Sequence, residues 1–256
     1  MLALHHLSGR WGALALGVGL ATSACSDDAG RDDTPTSAEY DEVATTMGAL
    51  VAGQDQGEVG AMHDAVGFAL GQGDPSLDLD LNGSFVGQRL GLSFSFNVAC
   101  EDPSGAHITC GDGADSARVL ASWDAQWDGD RLDAESSLDA DWTLTALGGP
   151  VVFLDGTSSA SAVVDLTEAD GDVRHWSVSY DASYDAVGFD RDHHPVSGRA
   201  SFSIDANRQV DHDPDKTFIS NVEGVVTFTG SGHAVLQLDG SVSYDVNLDT
   251  GAVARR

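Results

Sequence analysis

From Ser76 onward the chain alternates apolar and polar residues with a period of two. Over so long a stretch, that alternation suits antiparallel strands with one buried and one wet face, a pattern that a membrane-spanning β-barrel shares. Leu92, Phe94, Phe96, Val98 and Cys100 share one side of LSFSFNVAC, and Val119, Ala121, Trp123, Ala125 and Trp127 share one side of RVLASWDAQW. The same rule groups Leu138, Ala140, Trp142, Leu144 and Ala146; then Trp176, Val178, Tyr180, Ala182, Tyr184 and Ala186. Further on it groups Ala200, Phe202, Ile204 and Ala206, then Val242, Tyr244, Val246 and Leu248. The positions between them are almost all Ser, Asp, Thr and Asn.

Turn signals punctuate the runs: Asn82-Gly83, Asp128-Gly129, Asp155-Gly156, Asp170-Gly171, Gly230-Ser231-Gly232 and Asp239-Gly240. Such dipeptides supply the positive φ that tight hairpins require. About ten strands result, many longer than the usual 5–6 residues. The expected fold is mainly β: a long-stranded antiparallel meander over 73–256, forming a curled sheet, half-barrel or barrel. Residues 38–72 change period. Val43, Met47, Leu50 and Val51 form one helical stripe, and Val59, Met62, Val66 and Leu70 another. One or two short helices are expected there, packed on the sheet or closing its end.

Charge narrows the choice of partners. The chain carries 12 Lys+Arg against 41 Asp+Glu, a formal net charge of −29. Such a field repels phosphate backbones, which argues against nucleic acid. It favours cations and basic proteins. An ordinary solvated acidic surface accounts for most of this excess.

Residues 1–24 read MLALHHLSGRWGALALGVGLATSA. Arg10 precedes an apolar stretch from Trp11 to Ala21, shorter than the roughly 20 residues a membrane helix needs, which suits the core of an export signal. Small residues then lead to Cys25. The segment ATSAC resembles the lipobox of bacterial lipoproteins, with Ala24 and Ser23 in fitting positions and Thr22 in place of the usual leucine. The resemblance implies cleavage before Cys25, lipidation (including palmitate) of that cysteine, and a membrane anchor. It covers only the start of the chain. Residues 25–37 read as an acidic tether. The same resemblance implies, from Ser26 after the cysteine, the outer rather than the inner membrane of the cell envelope, with the body facing the periplasm or the cell surface.

The other two cysteines support this reading. Cys100 and Cys110 flank EDPSGAHIT, whose Asp-Pro-Ser-Gly core is turn chemistry. They are expected to pair in an oxidising compartment, which leaves Cys25 without another role.

Catalytic signals are weak. No G-x-S-x-G, H-E-x-x-H or phosphate-binding loop occurs in the mature chain. Asp249-Thr250-Gly251 is similar to the aspartic-protease core, although an ordinary Asp-Thr-Gly turn closing the last strand is the plainer account. Two loops combine imidazole with carboxylate, the chemistry that holds zinc or, through oxygen, calcium. One is Asp190, Asp192, His193 and His194; the other is Asp211, His212 and Asp213. If a single strand joins them, they stand at its opposite ends and do not share an ion. Exposed loop residues are the plainer account. Trp123, Trp127, Trp142 and Trp176, set among alanines, are candidates to line an apolar cavity.

The sequence therefore points to a lipid-anchored envelope protein without a legible catalytic site, acting as a binding or structural module. A carrier of an apolar ligand or lipid in a β half-barrel, and a metal-dependent hydrolase, stand as alternatives.

Overall fold

The computed structural model describes residues 35–51, 57–72, 78–79, 84–89, 92–128, 132–167, 173–210 and 218–256. Two helices, α1 (Ser37–Val51) and α2 (Glu58–Ala69), precede the strands. The strands are β1 (Asp78–Leu79), β2 (Ser84–Arg89), β3 (Leu92–Glu101), β4 (His107–Ile108), β5 (Ser116–Asp128), β6 (Leu132–Thr145) and β7 (Val152–Thr167). They continue as β8 (Val173–Phe189), β9 (Pro195–Val210), β10 (Phe218–Gly230), β11 (His233–Leu238), β12 (Val242–Asn247) and β13 (Val253–Arg255).

All strands belong to one antiparallel meander. Each pairs with its successor, except that β3 pairs with both β5 and the short β4. The sheet stays open: it does not close into a barrel. The longest strand, β8, has 17 residues, which spans about 55 Å at 3.3 Å per residue.

The period-two reading holds through the sheet's centre. Phe96, Val119, Ala121, Leu138, Ala140, Trp142, Val178, Tyr180, Phe202, Ile204 and Tyr244 are all buried. Two expectations fail near one end. Asp155-Gly156 is not a hairpin turn; it lies inside β7, where Gly156 takes φ +142° and the pairing with β8 shifts register. Ala186, expected inside, is exposed. An extra residue bulges out of β8 there, with φ +47° at Ala186, and the inward positions become Val187 and Phe189. The Gly spends its positive φ on a bent ladder rather than on a turn.

α1 opens with a reciprocal cap. The Thr36 N–H donates to Glu39 Oε2 at 2.6 Å, and the Glu39 N–H donates to Thr36 Oγ1 at 3.4 Å. The helix lies toward the C-terminal strands. Tyr40 donates to Asp239 at 2.7 Å, Tyr244 donates to Asp41 at 2.6 Å, and Arg208 pairs with Glu42. α2 lies toward the N-terminal half of the sheet. Phe68 stacks on Phe85 with ring centres 4.3 Å apart and meets Phe96 at 5.1 Å. Buried residues cover α2 on nearly every side, from Val59, Met62 and Val66 to Ala65 and Phe68, as expected of a helix lodged against a curled apolar face.

Cys100 and Cys110 form a disulfide with Cα atoms 5.2 Å apart. Their loop docks on the end of α2, where the Gly111 N–H donates to the Ala69 carbonyl at 3.1 Å. Among the described residues, no helix is long and apolar enough to cross a membrane.

Candidate functional site

Three places in the described residues concentrate chemistry. The first is a buried acid. Glu58, in the first turn of α2, is 0% exposed. Ser158 donates to one carboxylate oxygen and Tyr180 to the other, the latter at 3.0 Å, while Tyr184 lies 2.9 Å from the Ser158 hydroxyl. Burial pushes the Glu58 carboxyl up, and the hydrogen bonds of Ser158, Tyr184 and Tyr180 pull it partly back. Burial and the neighbouring Glu58 raise both tyrosines well above the ordinary phenol range. The Trp142 ring stands edge-on to Tyr184 at 6.4 Å and closes the cluster. The arrangement keys α2 to β7 and β8. Sequence reasoning placed Tyr180 and Tyr184 inward but missed Glu58 and Ser158. The available signal was a serine at an inward position of β7, where period two calls for an apolar residue.

The second is the turn between β8 and β9. Asp190 Oδ1 accepts from the backbone N–H groups of Asp192, at 3.0 Å, and His194, at 2.9 Å. That makes Asp190 an organiser of the turn. Asp192 and His194 are exposed, whereas His193 is buried with φ +61°. The structure adds a residue the sequence did not suggest: His63 of α2, whose ring centre is 4.9 Å from that of His193 and 6.1 Å from that of His194. Burial lowers the His193 imidazole below its ordinary range, with His63 adding to the effect. Among the described residues, no three imidazole, thiol or carboxylate groups already converge as ligands of one ion. Asp211, His212 and Asp213 lie outside the described residues, as does Cys25.

The tryptophans separate. Trp142 is fully buried, Trp176 is partly buried and stacks on Phe218 at 6.2 Å, and Trp123 is partly buried against the core. The side chain of Trp127 is outside the described set.

The third is the outer face of the sheet. Cross-strand pairing lines up Ser122, Asp139, Ser159, Asp181, Ser203 and Glu223 as one row over six strands. Hydroxyl and carboxylate alternate along it. With strands about 4.8 Å apart, successive acids stand about 10 Å from one another, which avoids the cost of like charges directly opposite. Ser159 donates to Asp181 at 2.6 Å within the row. Arg118, one of the few cations on this face, is held by Asp141 through a bidentate contact at 3.0 and 2.7 Å. Two shallow clefts open here, of about 440 and 200 Å³. The larger is bordered by Asn97, Ser122, Asp139, Asp141 and Thr157 around Leu120, which is 45% exposed. The smaller is bordered by Ser161, Ser177, Ser179, Asp205 and Asn207 around Val163, which is 47% exposed. Neither is lined by a tryptophan.

No family model, curated protein or solved structure matches this chain.

Proposed function

We propose that this protein is an exported, non-catalytic binding module, held at the cell envelope by lipid on Cys25, that presents the open face of its sheet to a cationic partner. The observation that carries the reading is the division of labour between the two faces. The helices occupy the apolar face, where Glu58, Tyr40, Tyr244 and Arg208 tie them down. The other face is left to solvent and bears Asp139, Asp181, Asp205 and Glu223 in register with serines and Asn221. A surface of this composition attracts positive charge, and the net charge of −29 extends that attraction to long range. The acidic segment read as a tether would join the body to the lipid; its last residues, Thr36 and Ser37, belong to the cap and first turn of α1.

The test uses the untagged mature chain with Cys25 replaced by serine, and immobilised polylysine and polyglutamate as probes. Binding to polylysine alone is expected, weakening steeply between low and high salt. Replacing Asp139, Asp181 and Glu223 with their amides should weaken it at least tenfold. The control neutralises Asp112, Asp115 and Asp249, away from that row. An equal loss in the control would reduce the effect to net charge and overturn the proposed face. The anchor is tested separately: labelled fatty acid is incorporated into the wild type in cells and is lost in Cys25→Ala, and equal label in both would remove it.

A further inference from the structure

Three imidazoles meet where α2 passes the β8–β9 turn. His63 lies one helical turn before Gly67, so both share a face of α2. The His193 ring lies over Gly67: a Cβ there would stand 3.4 Å from His193 Cε1, in ordinary van der Waals contact. His193 is 8% exposed. Its left-handed backbone, φ +61°, is one that residues with a side chain adopt at a cost. Its Nε2 is buried and has no hydrogen-bond partner. A ring nitrogen withdrawn from water without a partner is a loss that folded proteins seldom accept. Strain, burial and an orphaned nitrogen at a single residue call for a ligand.

We propose that His63, His193 and His194 form a binding site for one divalent transition-metal ion that favours imidazole, with zinc as the reference case. Zinc–nitrogen bonds of 2.0–2.1 Å place each ring centre about 3.2 Å from the ion, so two bound imidazoles at a tetrahedral angle have centres about 5 Å apart. The His63 and His193 rings are 4.9 Å apart. His194, at 6.1 Å from His63, stands about 1 Å too wide and is exposed. It completes the set by turning inward, and water fills the fourth position. The two rings meet edge to face at the spacing that a chelating pair needs; no three ligands converge among the described residues, so binding requires His63 and His193 to turn their nitrogens to the ion and His194 to close on it. Asp190 stays outside the coordination sphere, since its Oδ1 already holds the turn through two backbone N–H groups. Asp190 and Asp192 supply negative charge beside His193. Hard, oxygen-seeking calcium has no reason to choose three imidazoles.

The experiment titrates the untagged mature chain, with Cys25 replaced by serine, with zinc chloride and separately with calcium chloride, by calorimetry and thermal shift. One zinc per chain and a rise in melting temperature are expected, with no specific effect of calcium. His63→Ala should weaken zinc binding at least tenfold, and His63→Ala with His194→Ala at least a hundredfold. These variants avoid His193, whose removal risks the packing on α2. His212→Ala should bind as the wild type does. Copper(II) in place of zinc should show nitrogen hyperfine coupling in its electron paramagnetic resonance spectrum, lost in the double variant. No zinc binding by the wild type, full binding by the double variant, or loss confined to His212→Ala would each overturn the site.

Discussion

The hydroxyl of Ser158, in the middle of β7, donates to the carboxylate of Glu58, in the first turn of α2, joining positions 100 apart in the chain. The contact is fully buried and ties the helix to the middle of the sheet. Its acid also makes stability depend on pH. Burial raises the folded Glu58 above its unfolded value of 4.5. The stability of the protonated form is therefore complete below about pH 4.5 and is lost as pH rises toward the folded value. Glu58→Gln removes this dependence while keeping an acceptor and a donor in place. Urea unfolding from pH 4 to 8 should show the wild type losing stability relative to Glu58→Gln as pH rises. Parallel curves would mean that Glu58 does not titrate differently on folding.

Gly48 on α1 faces Gly251 in the turn before β13. A Cβ at Gly48 would stand 2.5 Å from the Gly251 carbonyl oxygen and 2.6 Å from Val253 Cγ1. In a free helix, Gly→Ala stabilises by about 1 kcal/mol. Here overpacking reverses the sign, and Gly48→Ala should cost about 2 kcal/mol. Thermal unfolding checks it; a melting temperature at or above the wild type would refute the close approach.

The disulfide closes a short loop between positions 10 apart. Chain entropy puts its contribution at about 3 kcal/mol. Replacing Cys100 and Cys110 with alanine should lower stability by that order. It should also release the Gly111 N–H, now held by Ala69. Amide exchange should therefore quicken at Gly111 and at the end of α2 before it quickens in β7 or β8. Uniform acceleration would mean that the loop does not anchor the helix.

Tyr40 is buried on α1 and donates to Asp239 at 2.7 Å. Burial first, and the Asp239 carboxylate second, push its phenol up to about 12 from the usual 10.0. Its contribution is present below pH 10 and is lost as pH climbs toward 12. Tyr40→Phe should cost about 1 kcal/mol at neutral pH and flatten that alkaline limb. Chemical denaturation at pH 7 and pH 11 measures both, and an unchanged difference between wild type and variant at the two pH values would refute the shift.

The strands were legible because burial on one face imposes period two, and Ser, Asp and Thr on the other face keep the contrast high. Trp142, Tyr180 and Phe202 were placed inward from that rule alone. The Cys100–Cys110 pair followed from its turn residues. The places where the rule failed have local causes. Asp155-Gly156 carries the chemistry of a hairpin but spends it on a bulge, and no one-dimensional pattern separates the two uses of a positive φ. Glu58 was invisible because a carboxylate in a helix's first turn is ordinary; only the fold brings Ser158 and Tyr180 to it. His63 was invisible for the same reason, being 130 positions from His193. The Asp249-Thr250-Gly251 segment is a turn, with Asn247 Oδ1 accepting from the N–H groups of Asp249 and Thr250 at 3.0 and 2.9 Å, but it does not close the last strand: it leads into β13, which pairs with β12.

The bulge at Ala186 acts as a phase correction. In a sheet whose sides differ this much, one added residue would turn everything beyond it inside out. At Ala186 the odd residue is expelled, and inside and outside resume their places at Val187 and Phe189. Gly198 on β9 makes this possible, since a Cβ there would stand 2.4 Å from the Ala186 carbonyl oxygen. Changes in chain length by a single residue are therefore expected to be absorbed at this end of β8 and β9, and to be ruinous in the ruled centre of the sheet.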